Sequence, residues 1–385
     1  MNRVRVLFVG CGPMMPLTQP MEKLKFEYFS KYFSGDIITS IMHAKHMAIK
    51  SIGQFGYHPF IASGNSVARN IKSIWNYISK AVKLHRRGGN YGIVIAPNPL
   101  LIGMIALFIG RIVKAKVIIE VNGNFESAFK YGEKGKIGPS RSEVLKEMFS
   151  RVAIPFVLKR ADAVKLLADN QIAPFRLTKN SVRTKVFPDF VPIQQFLEHA
   201  RGDKKYVLLL GYPWYLKGVD ILIRAFNMIS DDFPKYRLKI FGWCPENRQF
   251  YEDLAKPNPK IDLCDPVYYQ EVVPIMSNCS LYVLASRTEA MGRVLIEAMA
   301  CRKPVIASNV GGVYSLVRHG YNGLLYENEN VTELAEKMRY VLSHADVADR
   351  FAENGFQHVQ EHFSEECYLA NYRRMILETM GMETC

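Results

Sequence analysis

Short, unbroken apolar runs recur along this chain, each followed by a stretch with apolar residues at helical spacing, and that alternation restricts what it can fold into. Runs at Val4–Val9, 58–62, Ile93–Ala96, Lys116–Val121, 163–168 and 182–187 have the length and continuity of parallel strands buried on both faces. Between the second and third, residues 67–87 set Val67, Ile71, Ile74, Trp75, Ile78, Ala81 and Val82 at helical spacing and carry Arg69, Lys72, Lys80, Lys83 and Arg86 on the other face. Strand-then-helix repetition predicts a doubly wound α/β domain. After the polar stretch 200–205 the rhythm restarts, with strands expected at Tyr206–Leu210, Arg237–Phe241, Leu281–Leu284 and 304–307. A chain of 385 residues, 49% hydrophobic, is long and apolar enough for two cores. The expected division is an N-terminal domain over 1–200, a second over 201–363, and a C-terminal helix over 364–385 that packs back toward the N-terminal domain through Tyr368, Leu369, Tyr372, Met375 and Ile376.

Charge separates the halves. Residues 1–200 hold 29 basic and 12 acidic side chains, a net of +17, and residues 201–385 hold 21 and 24, a net of −3. One domain is therefore expected to face something anionic: nucleic acid, a membrane surface or a phosphorylated acceptor. A recognised nucleic-acid module is lacking, which leaves nucleic acid the least favoured. The stretch 93–110 is apolar but contains Pro97, Asn98 and Pro99, and a strand, turn and short helix explain it better than a membrane span. Residues 1–10 read as a charged start and one strand rather than a secretory signal. The seven cysteines have no metal-ligand spacing and read as reduced, buried thiols. The histidine pairs His43/His46 and His358/His362 lack carboxylate or cysteine company and read as helix-surface residues. A cytoplasmic protein is expected, with a peripheral contact at the cytoplasmic membrane face.

The segment 286–326, SRTEAMGRVLIEAMACRKPVIASNVGGVYSLVRHGYNGLLY, carries the most chemistry. Seven residues separate Glu289 from Glu297, with Gly292 at the expected start of a helix, so both carboxylates can face one ligand at the carboxyl end of strand Leu281–Leu284. Carboxylates accept paired hydrogen bonds from vicinal hydroxyls. Amides around Met291 and Gly292, at a helix N-terminus, favour phosphate. Sugar hydroxyls beside a diphosphate describe a nucleotide sugar. A second element, 210–225 (LGYPWYLKGVDILIRA), sets Gly211 after a buried strand and follows it with Lys217 and Gly218, a cation where a diphosphate would lie.

These segments resemble the retaining GT-B glycosyltransferases of family 4, the group 1 glycosyltransferases, whose signature is a glutamate, seven residues, then a glutamate. AMACRKPVIASNVGG and HGYNGLLY are similar to that family too, as is Lys217-Gly218-x-Asp220. The resemblance implies two doubly wound Rossmann-like domains facing a cleft. It implies that Glu297 binds the ribose of the donor nucleotide, that Glu289 binds the transferred sugar, and that Lys217 and helix amides near Met291, Gly292 and Arg293 stabilise the departing diphosphate. It implies retention of configuration, no cofactor, no essential metal, and a lipid-linked or polysaccharide acceptor in cell-surface glycan synthesis. Tyr212 stands where the family usually has arginine, and Arg293 is a candidate replacement. Asn122 stands near the family's usual histidine; it hydrogen-bonds but cannot titrate. Gly10, Cys11 and Gly12 form a first loop where the family lets diphosphate approach; with Met15 present the loop is not a dinucleotide fingerprint. Tyr212 and Asn122 keep open a non-catalytic sugar-nucleotide or lipid-binding protein, and the same fold also serves nucleotide-sugar epimerases.

Overall fold

The computed structural model describes residues 3–10, 20–41, 48–61, 66–123, 141–175, 177, 183–199, 202–244 and 247–382. Two compact units divide them. One comprises Met1–Gly123, Leu145–Phe190 and Glu365–Cys385, and the other is built on Val191–Ser364.

The first unit holds a sheet of β1 (Val4–Val9), β2 (Phe33–Ile41), β3 (Ser51–Ile52), β4 (Phe55–Ile61), β5 (Ile93–Ala96), β6 (Lys116–Val121), β7 (Ala163–Leu166) and β8 (Arg183–Val186). Their order is β3-β4-β2-β1-β5-β6-β7-β8, parallel throughout except for β3 on β4. The strands anticipated from apolar runs are present, with ends shifted by a few residues. β2 has no such run, because Gly35, Asp36, Thr39 and Ser40 interrupt it. Its buried Asp36 is tolerated through tertiary partners: Arg5 at 3.0 Å, His58 at 2.7 Å and Tyr91 Oη at 2.6 Å. Burial pushes the Asp36 carboxyl up, but the hydrogen bonds from His58 and Tyr91 outweigh it and hold it below the ordinary carboxylate value.

Helix Glu365–Met380 follows the second unit in sequence yet belongs to the first. Phe29 of helix Pro20–Phe29 meets Tyr372 at 4.7 Å between ring centroids and stacks with Tyr368 at 5.9 Å. Tyr372 Oη donates to Glu120 Oε1 at 2.6 Å, both groups being buried. The apolar side of this helix is thus anchored to one buried carboxyl group in β6.

The second unit holds six parallel strands, β9 (Tyr206–Leu210), β10 (Arg237–Phe241), β11 (Ile261–Cys264), β12 (Leu281–Leu284), β13 (Val305–Ser308) and β14 (Leu324–Tyr326), in the order β11-β10-β9-β12-β13-β14. β9 and β12 are wholly buried, as continuous apolar strands require. The order reverses between β9 and β12, and in an open sheet of this kind the crevice beyond the carboxyl ends of those two strands receives ligands. His358 departs from the surface expectation. It is buried in helix Ala345–His362 against Phe363, with 5.5 Å between ring centroids, and burial lowers its imidazole to about 4. His43 and His46 lie outside the described residues. The described cysteines form no disulfide; Cys279 and Cys301 are buried as expected, whereas Cys244, Cys264 and Cys367 are only partly buried. Among the described residues no helix is long and apolar enough to cross a membrane.

Replacing Tyr372 by Phe leaves the ring packing and removes the donor to Glu120. Urea unfolding should show a loss of about 1–3 kcal/mol, the cost of stranding a buried acceptor, and an unchanged midpoint would deny the contact that role.

Candidate functional site

The loops leaving β9 and β12 are locked together by a buried ion pair. Arg287, three residues past the end of β12, donates from Nη1 and Nη2 to Asp220 Oδ1 and Oδ2 at 2.8 and 2.7 Å. The same guanidinium reaches Tyr215 O at 2.6 Å and Glu329 Oε1 at 2.7 Å, and the Arg287 backbone amide donates to Leu216 O at 2.8 Å. Arg287 and Asp220 are both buried, and despite burial the carboxylates of Asp220 and Glu329 keep the guanidinium firmly charged. Sequence reasoning assigned Asp220 to a motif and missed Arg287. The signal was a lone arginine directly after a buried strand, which demands a carboxylate partner.

This clamp sets the geometry of the residues singled out from sequence. Gly218, at φ 64°, ends the β9 loop and caps helix Val219–Asn227; a Cβ there would sit 1.9 Å from Ala285 O, so only glycine lets the two loops meet. Lys217, beside it, runs its side chain along Gly211, and its Nζ donates to Glu289 Oε2 at 2.6 Å. Ser286 Oγ donates to the same oxygen at 3.2 Å. The Glu289 backbone is held from the other side, where Gly312 N donates to its carbonyl at 3.4 Å, and Gly311, at φ 52°, approaches so closely that a Cβ would lie 1.6 Å from that carbonyl oxygen.

Gly292 is the N-cap of helix Arg293–Ala300 at φ 84° and supplies no side-chain cap, while Met291 before it is buried. Glu297 projects from the second turn of that helix and is 3% exposed. Its Oε1 accepts from Tyr269 Oη at 3.4 Å and lies 3.6 Å from Arg293 Nε. Burial raises the Glu297 carboxyl above its ordinary value, with Arg293 and Tyr269 pulling the other way. Arg293, the candidate substitute for the cation displaced by Tyr212, is thus engaged with Glu297. Tyr212 is exposed and meets Trp243, at the end of β10, edge-on at 6.2 Å. Lys217, Gly211, Gly218, Glu289, Met291, Gly292, Arg293 and Glu297 therefore share one edge of the second unit's sheet.

Asn122 belongs to the first unit, at the carboxyl end of β6. Its Nδ2 donates to Glu120 Oε2 at 3.0 Å and its Oδ1 accepts from the fully buried Lys165 at 3.4 Å, so the amide bridges a buried carboxyl and a buried amine. Gly12 lies outside the described residues. Among those residues no group of three His, Cys, Asp or Glu is placed to hold a metal.

Residues 192–358 match the family model of glycosyl transferases group 1. An uncharacterised glycosyltransferase of Methanocaldococcus jannaschii is 36% identical over 172 residues, covering 44% of this chain and 48% of that protein. The N,N'-diacetylbacillosaminyl-diphospho-undecaprenol alpha-1,3-N-acetylgalactosaminyltransferase of Campylobacter jejuni is 25% identical over 226 residues, covering 54% and 56%. The chain spans about half the length of the curated relatives it matches. The structure of Anabaena HepE in complex with UDP and glucose superposes with a TM-score of 0.70 at 15% identity, covering 97% of this chain and 99% of that one. The fold is the GT-B fold, two Rossmann-like units built on largely parallel sheets, and it is the second unit's segment 192–358 that is similar to the group 1 glycosyltransferases.

Arg287→Met leaves Asp220 buried without its guanidinium. Denaturant unfolding should show a loss of about 3–5 kcal/mol, as for other broken buried pairs.

Proposed function

We propose that this chain, whose residues 192–358 match the group 1 glycosyltransferase model on a GT-B fold, is a group 1 glycosyltransferase that transfers a hexose-type sugar from a nucleoside diphosphate sugar with retention of configuration. The observation that carries the reading is the Lys217–Glu289 pair at 2.6 Å, held at the switch point of the second sheet beside the uncapped N-terminus of helix Arg293–Ala300. A cation and open amides suit a diphosphate, and a carboxylate beside them suits sugar hydroxyls.

In this reading Glu297 accepts hydrogen bonds from the ribose and Glu289 from the transferred sugar. As the glycosidic bond breaks, charge builds on the diphosphate. Lys217 and the amides near Met291, Gly292 and Arg293 are already positioned to meet it, so little reorganisation is needed. The reaction then needs no essential metal. Gly211 gives the diphosphate close access to the backbone after β9, and Gly12 is proposed for the same service in the first unit. Asn122 is proposed as a hydrogen-bonding partner of the sugar, oriented by Glu120 and Lys165. HepE is described with UDP, which makes a uridine diphosphate sugar the first donor to test. The C. jejuni relative is named for an undecaprenol-linked acceptor, which supports a lipid-linked or polysaccharide acceptor here and a role in cell-surface glycan synthesis.

A donor that binds only the folded state stabilises it by about 2.7 kcal/mol at a hundredfold excess over Kd, so a thermal-shift panel of nucleoside diphosphates should single one out. Purified protein should then transfer or hydrolyse the sugar, unaffected by a chelator. Glu289→Gln and Glu297→Gln should each abolish turnover; activity surviving both changes refutes the site. Conversion of the donor, with no acceptor present, into an epimeric nucleotide sugar rather than nucleoside diphosphate and free sugar would identify an epimerase, and binding without turnover a non-catalytic protein.

Acid should weaken donor binding through Glu297. The ionised form accepts the ribose hydroxyls, and burial has raised its folded value above the 4.5 of an ordinary glutamate. Titration calorimetry should show affinity falling as pH drops through that higher value, and Glu297→Gln should remove the dependence. The ligand-free protein behaves oppositely. A raised carboxyl binds its proton more tightly when folded, so the contribution of Glu297 to stability is fully present below about 4.5 and is lost as pH rises through the folded value; comparing the pH dependence of unfolding with that of Glu297→Gln isolates it.

A further inference from the structure

Between Asp36 and Glu120 the chain runs through 83 residues with 11 Lys and Arg and no acidic side chain. The structure shows where that run goes. Helix Ser66–Arg86 carries the chain from β4 to β5, helix Leu101–Val113 from β5 to β6, and helix Arg141–Arg160 from β6 to β7. All three cross the sheet in the same direction, and right-handed crossovers put all three on one face.

The outward side of this helical layer is apolar as well as basic. Ile71 and Trp75, one turn apart, depart from the apolar core face expected from their spacing and are exposed, Trp75 by 71%, because the helix turns Tyr77 and Ala81 to the sheet instead. Phe108 and Ile112 repeat the arrangement on the next helix. The third helix exposes Met148, Phe149, Val152 and Phe156, Val152 by 73%. Cations accompany them: Lys72 and Lys83 on the first helix, Arg111 on the second with Lys114 following it, and Lys159 and Arg160 on the third are all exposed, whereas Lys80 is half-buried. A groove of about 990 Å³ between the second and third helices is lined by Phe108, Arg111, Lys114, Lys116, Phe156 and Arg160. Asp162 also lines it and is neutralised by Lys116 at 2.8 Å. Arg160 lies over the Phe156 ring, 3.7 Å from its centroid, a cation with its apolar body attached.

We infer that this face of the first unit docks on an anionic lipid bilayer, its aromatic and aliphatic side chains entering the acyl boundary and its Lys and Arg remaining at the phosphates. Charge complementarity selects the occupant. Lone aromatic rings among cations would also suit single-stranded nucleic acid, but Met148, Val152 and the two isoleucines gain nothing from stacked bases and do gain from hydrocarbon. A protein interface is depleted in charged residues, lysine among them, at its core, unlike helices 66–86 and 101–113. This inference rests on the first unit alone and is independent of the reaction proposed for the second.

Trp75 offers a direct test on the full chain. The other two tryptophans are Trp214, which is buried, and Trp243, which a Trp243→Phe background removes. With vesicles of phosphatidylcholine and phosphatidylglycerol carrying brominated acyl chains, Trp75 emission should be quenched, and vesicles of phosphatidylcholine alone should quench far less. In flotation, Phe108→Ser and Phe156→Ser should each lower partitioning about tenfold, and Lys114→Gln about fivefold. Each replaced side chain is exposed, and an unchanged melting midpoint confirms folding. Absence of binding to anionic vesicles, or binding indifferent to all three substitutions, overturns the inference. So does a self-associated form dispersed by Phe156→Ser, or RNA retention that the same substitutions abolish.

Discussion

The arrangement at the second unit's sheet edge depends on one buried ion pair. Two loops leave adjacent strands at the point where strand order reverses, and nothing in their own conformations obliges them to meet. Arg287 makes them meet. It spends its guanidinium on Asp220, Glu329 and the Tyr215 carbonyl, so the loop bearing Lys217 is fixed against the loop bearing Glu289. The pair need not stabilise the fold relative to a well-packed apolar alternative, since desolvation of both charges opposes their attraction. What it supplies is geometry: with Gly218 against Ala285 and Gly311 against Glu289, the lysine and the carboxylate sit within hydrogen-bonding distance before any ligand arrives.

The two glutamates of the signature occupy different environments. Glu289 is shared between Lys217 and Ser286 in a partly open loop, whereas Glu297 is almost entirely buried beside Tyr269 and Arg293. Burial raises Glu297, with Arg293 and Tyr269 pulling the other way. One sequence motif thus delivers a carboxylate poised next to a cation and another whose ionisation couples to its surroundings. The first unit has a comparable buried cluster, in which Glu120, Asn122, Lys165 and Tyr372 satisfy one another at the carboxyl ends of β6 and β7. Helix Glu365–Met380 contributes to it, so a segment distant in sequence helps hold Asn122.

Strands buried on both faces were legible because their apolar runs are continuous; β5, β7, β9 and β12 are examples. β2 was not, since its central Asp36 is acceptable only once Arg5, His58 and Tyr91 surround it, and no local pattern announces those partners. His358 misled for the same reason. Its spacing to His362 suits a helix surface, but the neighbours that bury it come from elsewhere. In the candidate site, Glu289, Glu297, Lys217 and the glycines stood out by spacing and residue type, while Arg287 and Tyr269 did not, because each acts through a contact spanning dozens of residues.

The sequence by itself determined the α/β alternation, the asymmetry of charge and the signature segments, all of which are local properties of composition and periodicity. Tertiary structure decided which loops touch, which carboxylates are buried, and that the acid-free run 37–119 supplies two of the three helices of one exposed face. The division follows from the physics. Apolar periodicity encodes which surfaces of an element are hidden, whereas the pairing of buried charges and the sharing of a face depend on strand order and crossover handedness, which no short stretch of chain contains.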